Sequence, residues 1–206
     1  MLRVLVVALV LLVAALFLLP RPQLRAPENA TLIADAAPLP SFTLEDTAGK
    51  PLTNAGLEGG FSLLFFGYTN CPDVCPLTLQ VLASAMQNLR TNDPKLAPEA
   101  LPRVVFVSVD PARDSPERVR KYLDAFDKSF VGATGSDGAL APLLKTLGVT
   151  VMRMEQHGEQ YTMVHNGTVY FIGPKAELIA VSSPPLDPET LAHDYIKIRA
   201  LYARGR

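Results

Sequence analysis

The sequence predicts an α/β domain in which helices flank a central mixed sheet. Apolar runs at residues 61–66 and 103–109 are typical of buried central strands. Each run is followed by a segment with apolar residues at helical spacing, as expected for parallel strands joined by helices. Two later strand-like segments are joined by residues 173–176, whose sequence Gly-Pro-Lys-Ala predicts a hairpin turn. Parallel strands combined with a hairpin indicate a mixed sheet.

The N-terminus is predicted to lie outside this domain. Residues 4–19 form an unbroken apolar run of 16 residues, close to the about 20 that cross a bilayer. We expect residues 1–20 to be a transmembrane anchor, with a cleaved signal peptide as the alternative. The proline-rich residues 21–37 are predicted to form an extended tether, and residues 38–206 to form the folded domain. Either interpretation exports the domain to an oxidising compartment.

The predicted elements follow one another as β-α-β-α-α-β-β-β-α. The first helix begins at residues 74–76, and its apolar face carries Leu79, Leu82, Met86 and Leu89. The second begins with Ser115 as N-cap and Pro116 in the first turn. The remaining elements are a helix around residues 140–147, strands at 149–154, 168–172 and 178–181, and a helix over 187–201.

The composition excludes two classes of protein. Hydrophobic residues make up 49% and charged residues 19% of the 206-residue chain, which excludes a wholly disordered protein. The 19 basic and 20 acidic residues give a net charge of -1, whereas a nucleic-acid-binding protein would normally show a basic excess. We therefore expect no nucleic-acid partner. Two cysteines are too few for a disulfide scaffold.

Both cysteines lie in the segment that joins the first predicted strand to its helix. Cys71 falls in the loop and Cys75 at the start of the helix, four residues later. Such a pair can close a disulfide, or its two thiolates can hold one soft metal ion. A helix N-terminus stabilises the thiolate in either case. Burial as two small hydrophobic residues is the less favoured alternative.

Only one of the three histidines is placed to complete a metal site. His157 and His193 lie in polar surroundings and are predicted to be exposed. His165 precedes the strand at residues 168–172, and a residue there could face the cysteines across the end of the sheet. Thiolates suit Cu(I), and imidazole suits copper in either oxidation state. Met163 is a weaker candidate, since methionine more often fills gaps in a core.

At these residues the sequence resembles the Sco/SenC family of thioredoxin-fold copper proteins. The matching segments are residues 66–76 (FGYTNCPDVCP), 107–116 (VSVDPARDSP), and 161–165 followed by 170–174. They occur in the family's order and spacing over roughly residues 38–200. One departure is Val164-His165-Asn166, where the family often has Asp-His-Ser. Asp110 and Asp114 also match family positions, and capping of the following loop and helix is the simplest interpretation of both.

The resemblance implies a thioredoxin-like fold and a copper metallochaperone. Its metal ligands would be Cys71, Cys75 and His165, which would bind one Cu(I) or Cu(II). The domain would be anchored to a membrane and lie in the periplasm or the mitochondrial intermembrane space. Its partner would be a copper-accepting subunit of cytochrome c oxidase, or another copper chaperone, during assembly of the oxidase copper centre.

Two other functions stay open at this stage. The chain could be an enzyme, a thiol-disulfide oxidoreductase that keeps exported cysteine ligands reduced, with Cys71 and Cys75 as its redox-active pair. The three-residue spacer argues against this, because thioredoxin-like catalysts have two residues between their cysteines. A copper or redox sensor is the third hypothesis, although no separate signalling module is visible.

Overall fold

The computed structural model describes residues 25–92, 96–155 and 161–205. Its strands are β1 (Thr31–Leu32), β2 (Thr43–Asp46), β3 (Pro51–Thr53), β4 (Ser62–Gly67), β5 (Arg103–Ser108), β6 (Val131–Thr134), β7 (Val151–Glu155), β8 (Tyr161–His165), β9 (Val169–Ile172) and β10 (Leu178–Ser182). Eight of them form one sheet in the order β1-β10-β9-β4-β5-β6-β2-β3, and β7 and β8 form a separate pair. The predicted mixed sheet is confirmed.

The central strands are parallel and the outer strands antiparallel. Strand β4 pairs in parallel with β5, which pairs in parallel with β6. Strand β9 runs antiparallel to β4, and β10 antiparallel to β9. The carboxyl ends of β4, β5 and β6 therefore lie at one edge of the sheet, where α/β folds commonly place their ligands.

Within the described ranges, five helices flank the sheet. They are α1 (Asn54–Leu57), α2 (Val74–Asn92), α3 (Pro116–Leu123), α4 (Asp137–Thr146) and α5 (Pro188–Ala203), with a short 3-10 helix at Pro98–Ala100. Because side chains alternate along a strand, Leu63 and Phe65 of β4 enter one core cluster, and Leu64 and Phe66 enter another. The first cluster includes side chains of α2, α3 and α5, and the second includes side chains of α4. Strand β4 is thus buried on both faces, as its continuous apolar sequence predicted.

The two adjacent helices predicted after β5 are in fact separated by β6. This strand is short and consists of Val, Gly, Ala and Thr, so it lacks the apolar run that marks β4 and β5. The small residues allow a close approach of α3. A Cβ atom on Gly132 would lie 2.4 Å from Cγ1 of Val119 and 2.9 Å from Cδ1 of Leu123.

Strand β8 was also missing from the prediction. No strand was predicted in the segment before β9, but this segment pairs antiparallel with β7 from Glu155↔Tyr161 to Val151↔His165. Neither strand contains a fully buried residue, so the pattern of burial that reveals a strand is weak here. Strands β1, β2 and β3, which have two to four residues each, were not predicted either.

Part of the segment predicted as a tether is attached to the domain. Strand β1 pairs with β10, and the carboxylate of Asp194 accepts hydrogen bonds from the main-chain amides of Glu28, Asn29 and Ala30. The predicted anchor at residues 1–20 lies outside the described residues. Among the described helices, none combines the length and apolar character needed to span a bilayer.

Candidate metal centre

The three predicted ligands come together at the carboxyl edge of the parallel strands. Strand β4 ends at Gly67, and the segment 68–73, called here the cysteine loop, carries Cys71. Cys75 is the second residue of α2. His165 is the last residue of β8 and therefore comes from the two-stranded pair β7–β8, called here the histidine hairpin.

The geometry of the three donor atoms is compatible with one shared ion. Sγ of Cys71, Sγ of Cys75 and Nε2 of His165 all lie within 4.8 Å of one another. Sγ of Cys75 is 3.1 Å from Nε2 of His165, and the main-chain amide of Cys75 donates to Sγ of Cys71 at 3.3 Å. Both cysteines are free thiols.

Close packing fixes the position of Cys75, which is fully buried. A Cβ atom on Gly67 would lie 2.9 Å from Sγ of Cys75 and 2.7 Å from the ring of Phe106. The residue that ends β4 must therefore be glycine for the sulfur of Cys75 to approach the strand this closely. Cys71 is only half-buried.

The imidazole of His165 is oriented by its backbone and by two rings. Nδ1 lies 3.0 Å from the carbonyl oxygen of Asn166, which favours the proton on Nδ1 and leaves Nε2 free to bind a metal. The rings of Phe65 and Tyr68 contact the imidazole edge to face, at centroid distances of 6.1 and 5.9 Å. These contacts direct Nε2 towards the two sulfur atoms.

The two thiols have opposite pKa shifts. A hydrogen bond from the Cys75 thiol, supported by His165 and by the amides of Asp73 and Cys75, lowers the pKa of Cys71 to about 3. The same hydrogen bond, together with burial, raises the pKa of Cys75 far above its usual range. At neutral pH the metal-free site therefore holds one thiolate and one thiol, and binding of a metal by both sulfurs would release the Cys75 proton.

The donor set and the distances fit a soft metal ion. Thiolate and imidazole donors lie about 2.0 to 2.3 Å from ions such as zinc, so two donors of one ion are at most roughly 4.6 Å apart. A small contraction of this site would meet that limit. Two sulfurs and one imidazole suit Cu(I), Cu(II) or Zn(II).

The other residues singled out in the sequence lie in different surroundings. His193 is exposed on α5, as predicted, and His157 lies outside the described residues. Met163 packs against both core clusters, in agreement with a role in filling space. Val164 is 44% exposed and points away from the site.

Asp110 and Asp114 do not cap α3, whose N-cap is Ser115. Instead, the Asp114 carboxylate accepts hydrogen bonds from Thr69 of the cysteine loop, and Asp110 accepts one from Tyr161 of the histidine hairpin. Sequence reasoning missed these contacts. One feature of the sequence could have indicated them: Thr69, Asp110, Asp114 and Tyr161 all lie in the segments that carry the family resemblance.

Comparison with known proteins agrees with this geometry. The SCO1/SenC family profile matches residues 32–200 of the chain. The chain belongs to the SCO1/SenC family. A crystal structure of Arabidopsis thaliana ScoI with copper bound superposes on this SCO1/SenC chain with a TM-score of 0.73 and 29% identity, covering 80% of this chain and 99% of that one. Yeast Sco1 gives a TM-score of 0.71 and 28% identity, covering 79% and 98%.

Sequence relatives of this SCO1/SenC chain differ in length. A Stutzerimonas stutzeri protein named for copper binding is 33% identical over 158 residues, which are 77% of this chain and 75% of that protein. The mitochondrial SCO1 homolog 1 of Arabidopsis thaliana is 30% identical over 156 residues, 76% of this chain but only 45% of the relative. This chain therefore spans less than half of the length of that mitochondrial relative.

Proposed function

We propose that this domain is a copper metallochaperone that binds one copper ion through Cys71, Cys75 and His165. The observation that carries the proposal is the convergence of these three donors from three separate elements. The copper-bound relative from Arabidopsis thaliana, which shares the fold, supports copper as the metal. Three protein donors leave a coordination position open, and an incoming ligand of an acceptor protein can use it to take the ion.

We further propose that the acceptor is a copper-binding subunit of cytochrome c oxidase or another copper chaperone. Residues 1–20 would anchor the chain in a membrane, and the domain would lie in the periplasm or the mitochondrial intermembrane space. Mitochondrial SCO proteins among the relatives support this location. Residues 21–37 would link the anchor to the domain, with residues 28–33 bound along its surface.

An anaerobic Cu(I) titration of the reduced full-length chain, in competition with a chromophoric chelator, tests this function. We expect one Cu(I) per chain. Loss of a ligand in Cys71→Ser, Cys75→Ser or His165→Ala should weaken binding by at least about 100-fold, since even residues that only support a ligand typically account for 10- to 100-fold. His193→Ala, which removes an exposed histidine, is the matched control and should bind as the wild type. Unchanged affinity of His165→Ala would contradict the three-ligand site.

One observation favours a second function, thiol-disulfide exchange. The low pKa of Cys71 gives a thiolate at neutral pH, and the thiolate is the species that attacks a disulfide. In that case Cys71 and Cys75 would form a redox-active pair that needs no histidine. Full exchange activity in His165→Ala, together with absence of copper binding by the wild type, would favour this function over the first.

A further inference from the structure

We propose that the turn formed by residues 110–114, between β5 and α3, sets the distance between the cysteines and His165. In this proposal Asp110, Arg113 and Asp114, with their partners Tyr161 and Thr69, are positioning residues of the copper site. The inference rests on the proposed function, because positioning matters only if these ligands share an ion. The proposal gives a role to the segment VDPARDS, residues 109–115. From the sequence, its two aspartates were interpreted as caps of the following loop and helix.

On one side, the turn holds the histidine hairpin. The hydroxyl of Tyr161 donates to Oδ1 of Asp110 at 2.7 Å, and Nη1 of Arg113 donates to the Tyr161 carbonyl oxygen at 2.9 Å. The guanidinium carbons of Arg113 and Arg153 lie 3.5 and 3.7 Å from the centre of the Tyr161 ring. Two guanidinium groups so close cannot share one face, so the ring lies between them and gains from both cation–π contacts.

These contacts matter for His165 because the hairpin is not part of the main sheet, and its other attachments to the domain include the packing of Met163 and the two rings that contact the imidazole. Strands β7 and β8 pair only with each other within the described residues. Since side chains alternate along a strand, Tyr161, Met163 and His165 all lie on the face of β8 that is turned to the domain. Tyr161 is the first residue of β8 and His165 is the last, on the same face. Contacts that fix Tyr161 therefore also orient the strand face that carries the imidazole.

On the other side, the turn holds the cysteine loop. Asp114 accepts hydrogen bonds from the main-chain amide of Thr69 at 2.9 Å and from its hydroxyl at 2.5 Å. The hydroxyl of Ser108, the last residue of β5, donates to the same carboxylate at 2.6 Å. Thr69 is two residues before Cys71, whose amide donates to the carbonyl oxygen of Tyr68. The carboxylate thus fixes the beginning of the cysteine loop relative to the end of β5.

The two carboxylates are held at a fixed separation. The amides of Arg113 and Asp114 both donate to the carbonyl oxygen of Asp110, at 3.1 and 2.9 Å, which closes the turn. Asp110 and Asp114 are only 3% and 1% exposed. Burying a carboxylate costs free energy unless it is paired or hydrogen-bonded. Loss of the partners of either aspartate would therefore be unfavourable. One closed turn therefore connects the two segments that carry the ligands.

The test compares Tyr161→Phe and Thr69→Val, each in the wild-type chain and in His165→Ala. We expect Tyr161→Phe to weaken Cu(I) binding by about tenfold in the wild type and to have no further effect in His165→Ala. Thr69→Val should weaken binding in both, because the cysteines remain in both. Tyr202→Phe is the matched control, since its hydroxyl donates to Glu177 outside the site, and it should change nothing.

Hydrogen exchange of the metal-free chain supplies a second measurement. Tyr161→Phe should raise exchange at the amides of residues 161–165, whereas Thr69→Val and Tyr202→Phe should not. An equal loss of affinity from Tyr161→Phe in both backgrounds, or unchanged exchange in β8, would overturn the proposal. If the wild type binds no copper, the proposed function fails, and hydrogen exchange alone still decides whether the turn holds the hairpin.

Discussion

The cysteine loop and the histidine hairpin supply the same site but differ in how they are attached to the fold. The cysteine loop follows β4, a strand that is buried along its whole length and paired on both sides, and Cys75 is fully buried. The histidine hairpin pairs only with itself among the described residues, and four of the five residues of β7 are exposed. The core therefore fixes the sulfur of Cys75, whereas the imidazole is held by the packing of Met163, by two ring contacts and by a few polar contacts.

This difference assigns separate roles to the two regions. A hydrogen bond from Cys75, supported by His165 and by the amides of Asp73 and Cys75, gives Cys71 its thiolate before any metal arrives. The hairpin adds the third donor, Nε2 of His165, so that a metal bound by the two sulfurs gains a third protein ligand. Perturbing the cysteine loop should therefore change stability and thiol chemistry as well as metal binding, whereas the main effect of perturbing the hairpin should be on metal binding.

The largest expected effect is a difference in reactivity within the cysteine loop itself. In the reduced, metal-free chain at pH 7, iodoacetamide should modify Cys71 at least about 100-fold faster than Cys75, because the thiolate is the nucleophile and Cys75 is a buried thiol. The pKa of about 3 lies well below the tested range. The Cys71 rate should therefore stay constant as the pH falls from 7 to 5.

Mass spectrometry of the modified peptides measures both rates. The same chain in denaturant is the control, and there the two cysteines should react at similar rates. Equal rates in the folded chain, or a Cys71 rate that falls tenfold for each pH unit, would contradict the assignment of the thiolate to Cys71.

The next effect tests how closely the core holds Cys75. Gly67→Ala should lower the free energy of unfolding by about 1 to 3 kcal/mol, the usual cost of an added methyl group in a well-packed core. The new Cβ atom would lie 2.7 Å from the Phe106 ring and 2.9 Å from Sγ of Cys75. Urea unfolding of the metal-free chain measures this change.

Gly60→Ala is the matched control for Gly67→Ala. A Cβ atom on Gly60, just before β4, would meet nothing within 4 Å. Its unfolding free energy should stay within about 1 kcal/mol of the wild type, since an alanine that fits its backbone conformation has a small effect. A Gly67→Ala chain as stable as Gly60→Ala would show that the sulfur is not held against the strand.

The same contrast explains which parts of the molecule could be predicted from the sequence. Strands β4 and β5 are long apolar runs, and α2 has a clear apolar face, so the cysteine loop could be placed correctly at the carboxyl edge of the sheet. The histidine was predicted from its position before β9 and from the family resemblance. Strand β8 was missed because it has no fully buried residue, and β6 because it is short and built from small residues.

The contacts of the turn at residues 110–114 could not be predicted from helical or strand periodicity. Asp110 and Tyr161 are 51 positions apart, and Thr69 and Asp114 are 45 apart. Helical and strand periodicity describe residues within one element, whereas these pairs form only when the turn after β5 has been brought together with the hairpin and with the cysteine loop. An aspartate shortly before a helix is also a common cap, which made the local interpretation the natural one.

The smallest expected effect concerns the departure from the family sequence at Val164. In a strand, neighbouring side chains point to opposite faces, and Val164 is exposed on the face of the hairpin opposite to His165. The Nδ1 atom of His165 already has the Asn166 carbonyl oxygen as its partner. An aspartate at position 164 would therefore point to solvent and would not support the imidazole.

Val164→Asp should accordingly change the free energy of Cu(I) binding by no more than about 0.5 kcal/mol, a factor of about two, as for most surface substitutions. The competition titration used for Tyr161→Phe measures this change under the same conditions. The two variants lie three residues apart on β8 but on opposite faces, so the hairpin serves as its own control. An effect of Val164→Asp as large as that of Tyr161→Phe would mean that the outer face of the hairpin also contributes to the bound metal.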